Sequence, residues 1–178
     1  VISKHKKRFF DLAKAHDSDI YYEAAVGGGI PLIRTLKVGL AANRIESLHG
    51  ILNGTTNYIL TKLNDEGKEF GDVVADAQAK GFAEADPTAD VEAFDAAAKC
   101  AVIASIAFAA DVRASDVHRE GITSISAADI AVARRLGYVI KLVAIGRRHK
   151  GADGGADSIE LRVHPTLLPR DVLLAGVN

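Results

Sequence analysis

The stretch from Ala96 to Ala110 constrains this chain more than any other segment, because it is apolar throughout and broken only by Lys99 and Ser105. It is too short to cross a bilayer, and a helix that is apolar on every side has to be buried. A lysine in such a place must be paired or put to use, since an isolated buried ammonium is costly. The residues just before it supply partners. From Gly81 the chain reads GFAEADPTADVEAFDAAAK, with five carboxylates (Glu84, Asp86, Asp90, Glu92 and Asp95) ahead of Lys99. The pattern predicts one long helix from about Asp90 to Asp111, on which Asp95 and Lys99 are four apart and share a face.

Spacing alone leaves several readings of this segment open. Asp95 and Lys99 can be an ordinary helix ion pair, worth ~0.2–0.5 kcal/mol if exposed, with the other acids favouring a helix N-terminus. Alternatively, desolvation lowers the lysine pKa while the carboxylate raises it, which tunes the ammonium for proton exchange with a substrate oxygen. The acids one turn before it, with Glu84, would then receive the ammonium group of an amino acid. A divalent-metal site on Glu84, Asp86 and Asp90 is a third reading, although the EF-hand spacing and its loop glycine are missing.

The rest of the chain alternates helix and strand signals without regular βαβ order. A short helix follows the basic start, through Phe9, Leu12 and Ala13. Ile20 to Val26 (IYYEAAV) is rich in strand formers and runs into Gly27, Gly28 and Gly29. Pro31 suits the first turn of a helix reading PLIRTLKVGLAAN. Ile45 to Leu52 reads as a strand closed by Asn53 and Gly54. Thr55 or Thr56 can cap the helix that ends at Gly67, and Phe70 to Lys80 is a helix stopped by Gly81. Ser126 caps a helix to Leu136 with Gly137 as its stop. Val139 to Ile145 and Ile159 to His164 are strands, separated by the glycine-rich turn GADGGAD. The expected fold is α+β, a mixed β-sheet packed against several α-helices, in one domain over residues 1–178.

Composition narrows the partners. The 22 Lys and Arg against 23 Asp and Glu leave a net charge of -1, so no global field points to nucleic acid or an anionic membrane. Small molecules or other subunits remain. One cysteine, Cys100, cannot form an internal disulfide, which suits a reducing compartment and an expected cytoplasmic location. Residues 1–10 have the basic character of a signal's first region, but no apolar run follows Phe10. A chain that begins with Val and contains no Met reads as a piece of a longer protein.

Several separated, ordered motifs carry a resemblance to a known family. GFAEADPTADVEAFDAAAK resembles the homoserine dehydrogenase signature, and the likeness extends through EAAVGGGIP at Glu23 to Pro31, GILNGTTNYIL at Gly50 to Leu60 and RVHPTLLP at Arg162 to Pro169. VISKHK at the start resembles the end of that family's cofactor domain, so residues 1–6 are expected to be its junction. No GxGxxG turn follows any strand, and the nucleotide-binding domain is expected to lie outside this chain.

The resemblance implies a dimeric oxidoreductase that interconverts L-aspartate 4-semialdehyde and L-homoserine with NADP or NAD, on the route to threonine, methionine and isoleucine. It places the proton-transfer lysine on Lys99 and a second active-site lysine, also near the cofactor, on Lys6. Substrate-holding positions fall on Glu84, Asp90 and Asp95, and on the backbone of Gly54 and Thr55. Gly81 falls where the chain approaches the nicotinamide. A monovalent-cation site for Na⁺ or K⁺, built largely from main-chain carbonyls, falls on Glu23, Val26, Gly28 and Ile30. Two departures stand out: His5 occupies a position where Asn is usual, and Ala93 and Phe94 replace a frequent Gly-Tyr pair. The non-enzyme alternative is a stand-alone amino-acid-binding or dimerisation module that kept the site and lost the chemistry. The segment alone is expected to fold and pair without catalysing.

Overall fold

The apolar stretch does become the centre of the structure, though in a shorter helix than its composition suggests. In the computed structural model, which describes residues 2–152 and 155–178, it forms α6 (Phe94–Ala107), with Ala96, Ala97, Cys100, Ala101, Val102, Ile103 and Ala104 buried. Val1 of the expected junction and residues 153 and 154 of the glycine-rich turn lie outside the described residues. The expected single helix from Asp90 to Asp111 is two helices. A short α5 (Thr88–Val91) ends at Glu92, and Ala93 adopts a left-handed conformation, φ 62° and ψ 20°, before α6 begins. At the other end Ala109 is also left-handed, at φ 51°.

Against α6 lies a four-stranded mixed sheet made of β1 (Ser47–Gly50), β2 (His118–Arg119), β3 (Tyr138–His149) and β4 (Ser158–Pro169), in the order β1-β3-β4-β2. β3 pairs antiparallel with β1 and β4, whereas β2 pairs parallel with β4. The α+β expectation holds. Register sets the faces: Ala144 opposes Val163 and Leu142 opposes Pro165, so with period 2 one face presents Ile140, Leu142, Ala144, Leu161 and Val163 together. That face joins Ile59, Leu60 and Leu63 of α3 (Gly54–Glu66), the alanines of α6, and Ile130 and Ala133 of α7 (Ala127–Arg135) in one core. α7 has the expected Ser126 cap, reciprocated by Asp129. α4 (Phe70–Ala79) packs on α3, contributing Val73 and Ala77.

Between Ile140 and Leu142, Lys141 is only 3% exposed. Its ammonium donates to Asn57 Oδ1 at 2.9 Å, Thr61 Oγ1 at 2.8 Å and the carbonyl of Val177 at 2.5 Å, tying α3 to the C-terminal segment. Burial holds its pKa below the usual lysine value.

The N-terminal third departs from expectation. α1 (Ile2–Ala15) starts earlier than its apolar residues suggest. Ile20 to Val26 forms no strand: Glu23–Ala25 is a single 3₁₀ turn. The Glu23 carboxylate accepts the N–H groups of Ile33 at 2.5 Å and Arg34 at 2.9 Å, folding the loop back onto the start of α2 (Leu32–Arg34). Burial pushes the Glu23 pKa up, but these backbone donors outweigh it and leave it below the ordinary value. α2 widens into a π-type turn over Thr35–Gly39 in place of the full helix expected after Pro31. Val26 and Ile33 pack with Val102 and Ile103 of α6 in a second, smaller core. Among the described residues, no helix is long and apolar enough to cross a membrane.

Candidate active site

Asn53 precedes α3 in an extended conformation, and its side chain, neither Thr55 nor Thr56, is the cap: Oδ1 accepts the Thr56 N–H at 2.8 Å. Asn53 is only 5% exposed, so the rest of its amide must be satisfied by the protein. Its Nδ2 donates to Asp90 Oδ1 at 2.6 Å and to Asp95 Oδ2 at 2.9 Å. One buried amide thus gathers two carboxylates while its oxygen closes a helix.

The break at Ala93 is what makes this possible. On a continuous helix, residues five apart are rotated by about 140° from one another, so Asp90 and Asp95 would face different ways. The left-handed turn between them aims both at Asn53. Asp95 Oδ2 also accepts from Lys99 Nζ at 2.7 Å, the pair expected from spacing, and Lys99 reaches the carbonyl of Leu52 at 3.2 Å. An ammonium has three hydrogens to donate. Two are engaged, and the third has no protein acceptor among the described residues. The Lys99 and Asp95 side chains are 24% and 32% exposed, so this face opens outward. Two carboxylates against one ammonium leave it locally acidic.

The other expected residues surround this cluster to different degrees. Gly54 and Thr55 open α3, and their N–H groups stand at a helix N-terminus, where anions bind readily. Thr55 Oγ1 donates to the Phe82 carbonyl at 2.8 Å, fastening the start of α3 to the loop that carries Gly81. Gly81 is exposed with φ 75°, and a side chain there would meet nothing within 4 Å, so open space adjoins its backbone. Glu84 is exposed in the following loop, and no hydrogen bond or ion pair ties its carboxylate to the cluster.

Lys6 is not brought to Lys99. Its ammonium donates to Ser105 Oγ at 2.6 Å and the Val112 carbonyl at 2.7 Å, and pairs with Asp111 at 3.0 Å, which uses all three hydrogens. Ser105 lies about 9 Å beyond Lys99 along α6. A cavity of about 440 Å³ between α1 and α6, lined by Ile2, Phe10, Tyr22 and Val102, adjoins Lys6.

The loop at Glu23, Val26, Gly28 and Ile30 is tightly turned. Ile30 N–H donates to the Gly27 carbonyl at 3.0 Å, and a Cβ on Gly27 would meet the Ile30 oxygen at 2.9 Å. The Glu23 carbonyl accepts from Val26 and Gly27, each at 3.3 Å, and the Ile30 carbonyl from Leu32 at 2.8 Å. The Ile30 carbonyl retains a second lone pair, whereas both of those on the Glu23 carbonyl are engaged within the loop. The divalent-metal reading does not survive. Asp86 Oδ1 is turned onto Thr88, at 2.6 Å from its hydroxyl, Asp90 is held by Asn53, and no metal-holding group of His, Cys, Asp and Glu occurs among the described residues. Cys100 is buried, and burial pushes its thiol up to about 11, which makes it inert.

Sequence reasoning missed Asn53 as a site residue. Asn before Gly at a helix start signals a cap, but its Nδ2 partners sit on other elements. The same holds for Ser105, Asp111 and the Val112 carbonyl around Lys6.

Comparison with known proteins bears on the family and the fold. The family model described as homoserine dehydrogenase matches residues 31–178. A homoserine dehydrogenase of Synechocystis sp. is 51% identical over the whole chain, and one of Corynebacterium glutamicum is 48% identical. The chain spans about 40% of the length of these relatives, 41% and 40% respectively. The crystal structure of a homoserine dehydrogenase from Thiobacillus denitrificans superposes on 99% of the chain with a TM-score of 0.92 and 46% identity, using 40% of that structure.

Proposed function

The chain belongs to the homoserine dehydrogenase family, and from that premise we propose that it carries the substrate-binding and proton-transfer half of an enzyme interconverting L-aspartate 4-semialdehyde and L-homoserine. The observation that carries this reading is a lysine held by Asp95 and the Leu52 carbonyl with one ammonium hydrogen left to give.

The amino-acid substrate is a zwitterion and needs both signs of charge. Its ammonium group is met by Asp90 and Glu84, and its carboxylate by the N–H groups of Gly54 and Thr55 at the start of α3. Its aldehyde then lies toward Lys99, which gives a proton to the forming alkoxide in one direction and takes one from the alcohol in the other. Asp95 keeps Lys99 in place and stabilises its charge. Asn53 prevents the two carboxylates from splaying apart. Lys6, with its ammonium fully engaged, contributes fixed positive charge on the cofactor side of the site and moves no proton.

The nicotinamide, NADP or NAD, supplies or removes the hydride. It is held mainly by a domain outside residues 1–178, with Gly81 and Lys6 as this chain's share of its surroundings. A Na⁺ or K⁺ site at Glu23, Val26, Gly28 and Ile30 belongs to the same reading, with the Ile30 carbonyl keeping one lone pair for it, and an ion there would stiffen the loop against α2. A homodimer in the cytoplasm is the expected working form. β1 lies at the sheet edge, paired on one side only, and edge strands invite pairing with a second copy.

The test uses the complete enzyme containing this chain. Lys99→Ala should abolish most turnover of L-homoserine with NADP⁺ while leaving the protein folded, and near-normal kcat would remove Lys99 from its role. The isolated 178 residues should show no turnover, and measurable oxidation of L-homoserine by them would contradict the division of labour.

A further inference from the structure

The left-handed turn that aims Asp90 and Asp95 at one amide is held from outside. Ala93 is fully buried at φ 62°, a conformation costing an L-residue roughly 1–2 kcal/mol, so it persists only where surrounding contacts enforce it. Besides the Asn53 amide, which bonds Asp90 and Asp95 on either side of the turn, those contacts come from the segment Arg119 to Thr123, which follows β2 and packs on the α5–α6 junction. The Arg119 guanidinium donates to the Glu92 carbonyl at 2.8 Å and lies 3.5 Å from the Phe94 ring centre. The Ile122 N–H donates to the Val91 carbonyl at 2.8 Å, and its side chain is fully buried. Thr123 Oγ1 donates to the Glu92 carboxylate at 2.8 Å.

Between them sits Gly121. A Cβ there would lie 2.5 Å from the Val91 carbonyl oxygen and 2.9 Å from the Glu92 Cα. Both are backbone atoms of the junction, so no side-chain rotation could relieve the contact. The segment is itself fixed to the sheet, since β2 pairs with β4 and the Glu120 N–H donates to the Val163 carbonyl at 2.8 Å.

We propose that Gly121, together with Arg119 and Ile122, forms a clamp that positions the Asp90–Asp95 carboxylate pair by locking the turn at Ala93. These are positioning residues: they touch the junction and leave the substrate to the acids. The proposal rests on the reading of Asp90, Asp95 and Lys99 given above. It has a specific kinetic signature. A shifted junction separates Asp90 from Asp95 and loosens the amino-acid pocket, while Gly81 on its separate loop is untouched. Binding of the amino acid therefore suffers and binding of the nucleotide does not.

The experiment measures kcat and both KM values in the complete enzyme for Gly121→Ala and Arg119→Met, with Lys99→Ala alongside. Displacements near 1 Å in such sites cost on the order of 100-fold, and Gly121→Ala should lower kcat/KM for L-homoserine by about that factor with the KM for NADP⁺ unchanged. Arg119→Met, on an exposed side chain, keeps the fold and should raise the L-homoserine KM by about 5-fold, the worth of one lost hydrogen bond. If Gly121→Ala fails to fold, Arg119→Met decides alone. Unchanged L-homoserine KM in Arg119→Met, or equal rises in both KM values in Gly121→Ala, overturns the clamp. Near-normal kcat in Lys99→Ala would overturn the underlying reading instead, whatever the clamp variants do.

Discussion

Lys99 of α6 and Lys6 of α1, which reaches Ser105 near the far end of α6, are opposite in structure. Lys99 is bound on two sides and open on the third, facing an acidic surface. Lys6 is bound on all three sides, by a hydroxyl, a carbonyl and a carboxylate, and its side chain is only 16% exposed. A lysine that exchanges protons needs a free donor and a path to the reacting atom. A lysine that holds elements together needs its donors filled. Lys99 therefore keeps the open donor that the proposed proton transfer requires, while Lys6 anchors α1 against α6.

Lys99→Ala in the complete enzyme should show the largest effect, a fall in kcat of about 10²–10⁴-fold, the usual contribution of a positioned proton donor, with little change in melting temperature. Lys6→Ala should invert this pattern. It leaves a partly buried Ser105 hydroxyl and Val112 carbonyl without their donor, at a cost of about 1–3 kcal/mol, and lowers kcat less than Lys99→Ala does. A Lys6→Ala enzyme of unchanged melting temperature but equally depressed kcat would break the comparison. Asn53→Ala should combine both signs at smaller scale. Losing the cap costs about 1 kcal/mol, and releasing Asp90 and Asp95 should raise the amino-acid KM, both measurable in one preparation.

Two smaller effects sharpen the picture of α6 itself. Ala101→Gly, in the helix interior, should destabilise by about 2 kcal/mol through helix propensity and a lost buried methyl. Ala93→Gly should be nearly neutral, because relief at φ 62° offsets the same losses. Equal costs in denaturant melts would mean that the turn at Ala93 is not strained. Cys100, with its thiol pushed up to about 11 from 9.0 by burial, should resist alkylation at pH 8 until the protein unfolds. Because the folded-state pKa is the raised one, the stability linked to this thiol is complete below pH 9 and is lost as pH rises toward 11.

What was legible in the sequence is what neighbouring residues decide. The Ser126 cap and the Gly137 stop of α7, the Gly67 and Gly81 stops, and the strands beginning near Val139 and Ile159 depend on local pattern, and all appear, although β3 and β4 run on to His149 and Pro169, past the expected ends at Ile145 and His164. The Asp95–Lys99 pair was legible for the same reason. The break at Ala93 was not, since composition gives Ala every reason to continue a helix, and the contacts that forbid it come from Arg119–Thr123. The strand expected at Ile20 to Val26 failed on one side chain, because Glu23 finds backbone donors ten residues on. The family's frequent glycine at the position of Ala93 was a signal of positive φ that spacing alone could not supply. Asn53 was read as the end of a strand, with the cap expected at Thr55 or Thr56, and its part as the hub of two carboxylates was invisible.

The most direct test of proton transfer at Lys99 is chemical rescue. Lys99→Ala leaves a space beside Asp95 and the Leu52 carbonyl that a small amine can enter. With the complete enzyme, L-homoserine and NADP⁺, added methylamine or ethylamine should raise the rate of this variant in proportion to amine concentration, with a rate constant that follows the amine pKa. Under the same conditions amines should leave Lys6→Ala unaffected. A Lys99→Ala enzyme that turns over near the normal rate without amine, or a rescue that appears only in Lys6→Ala, would contradict the assignment.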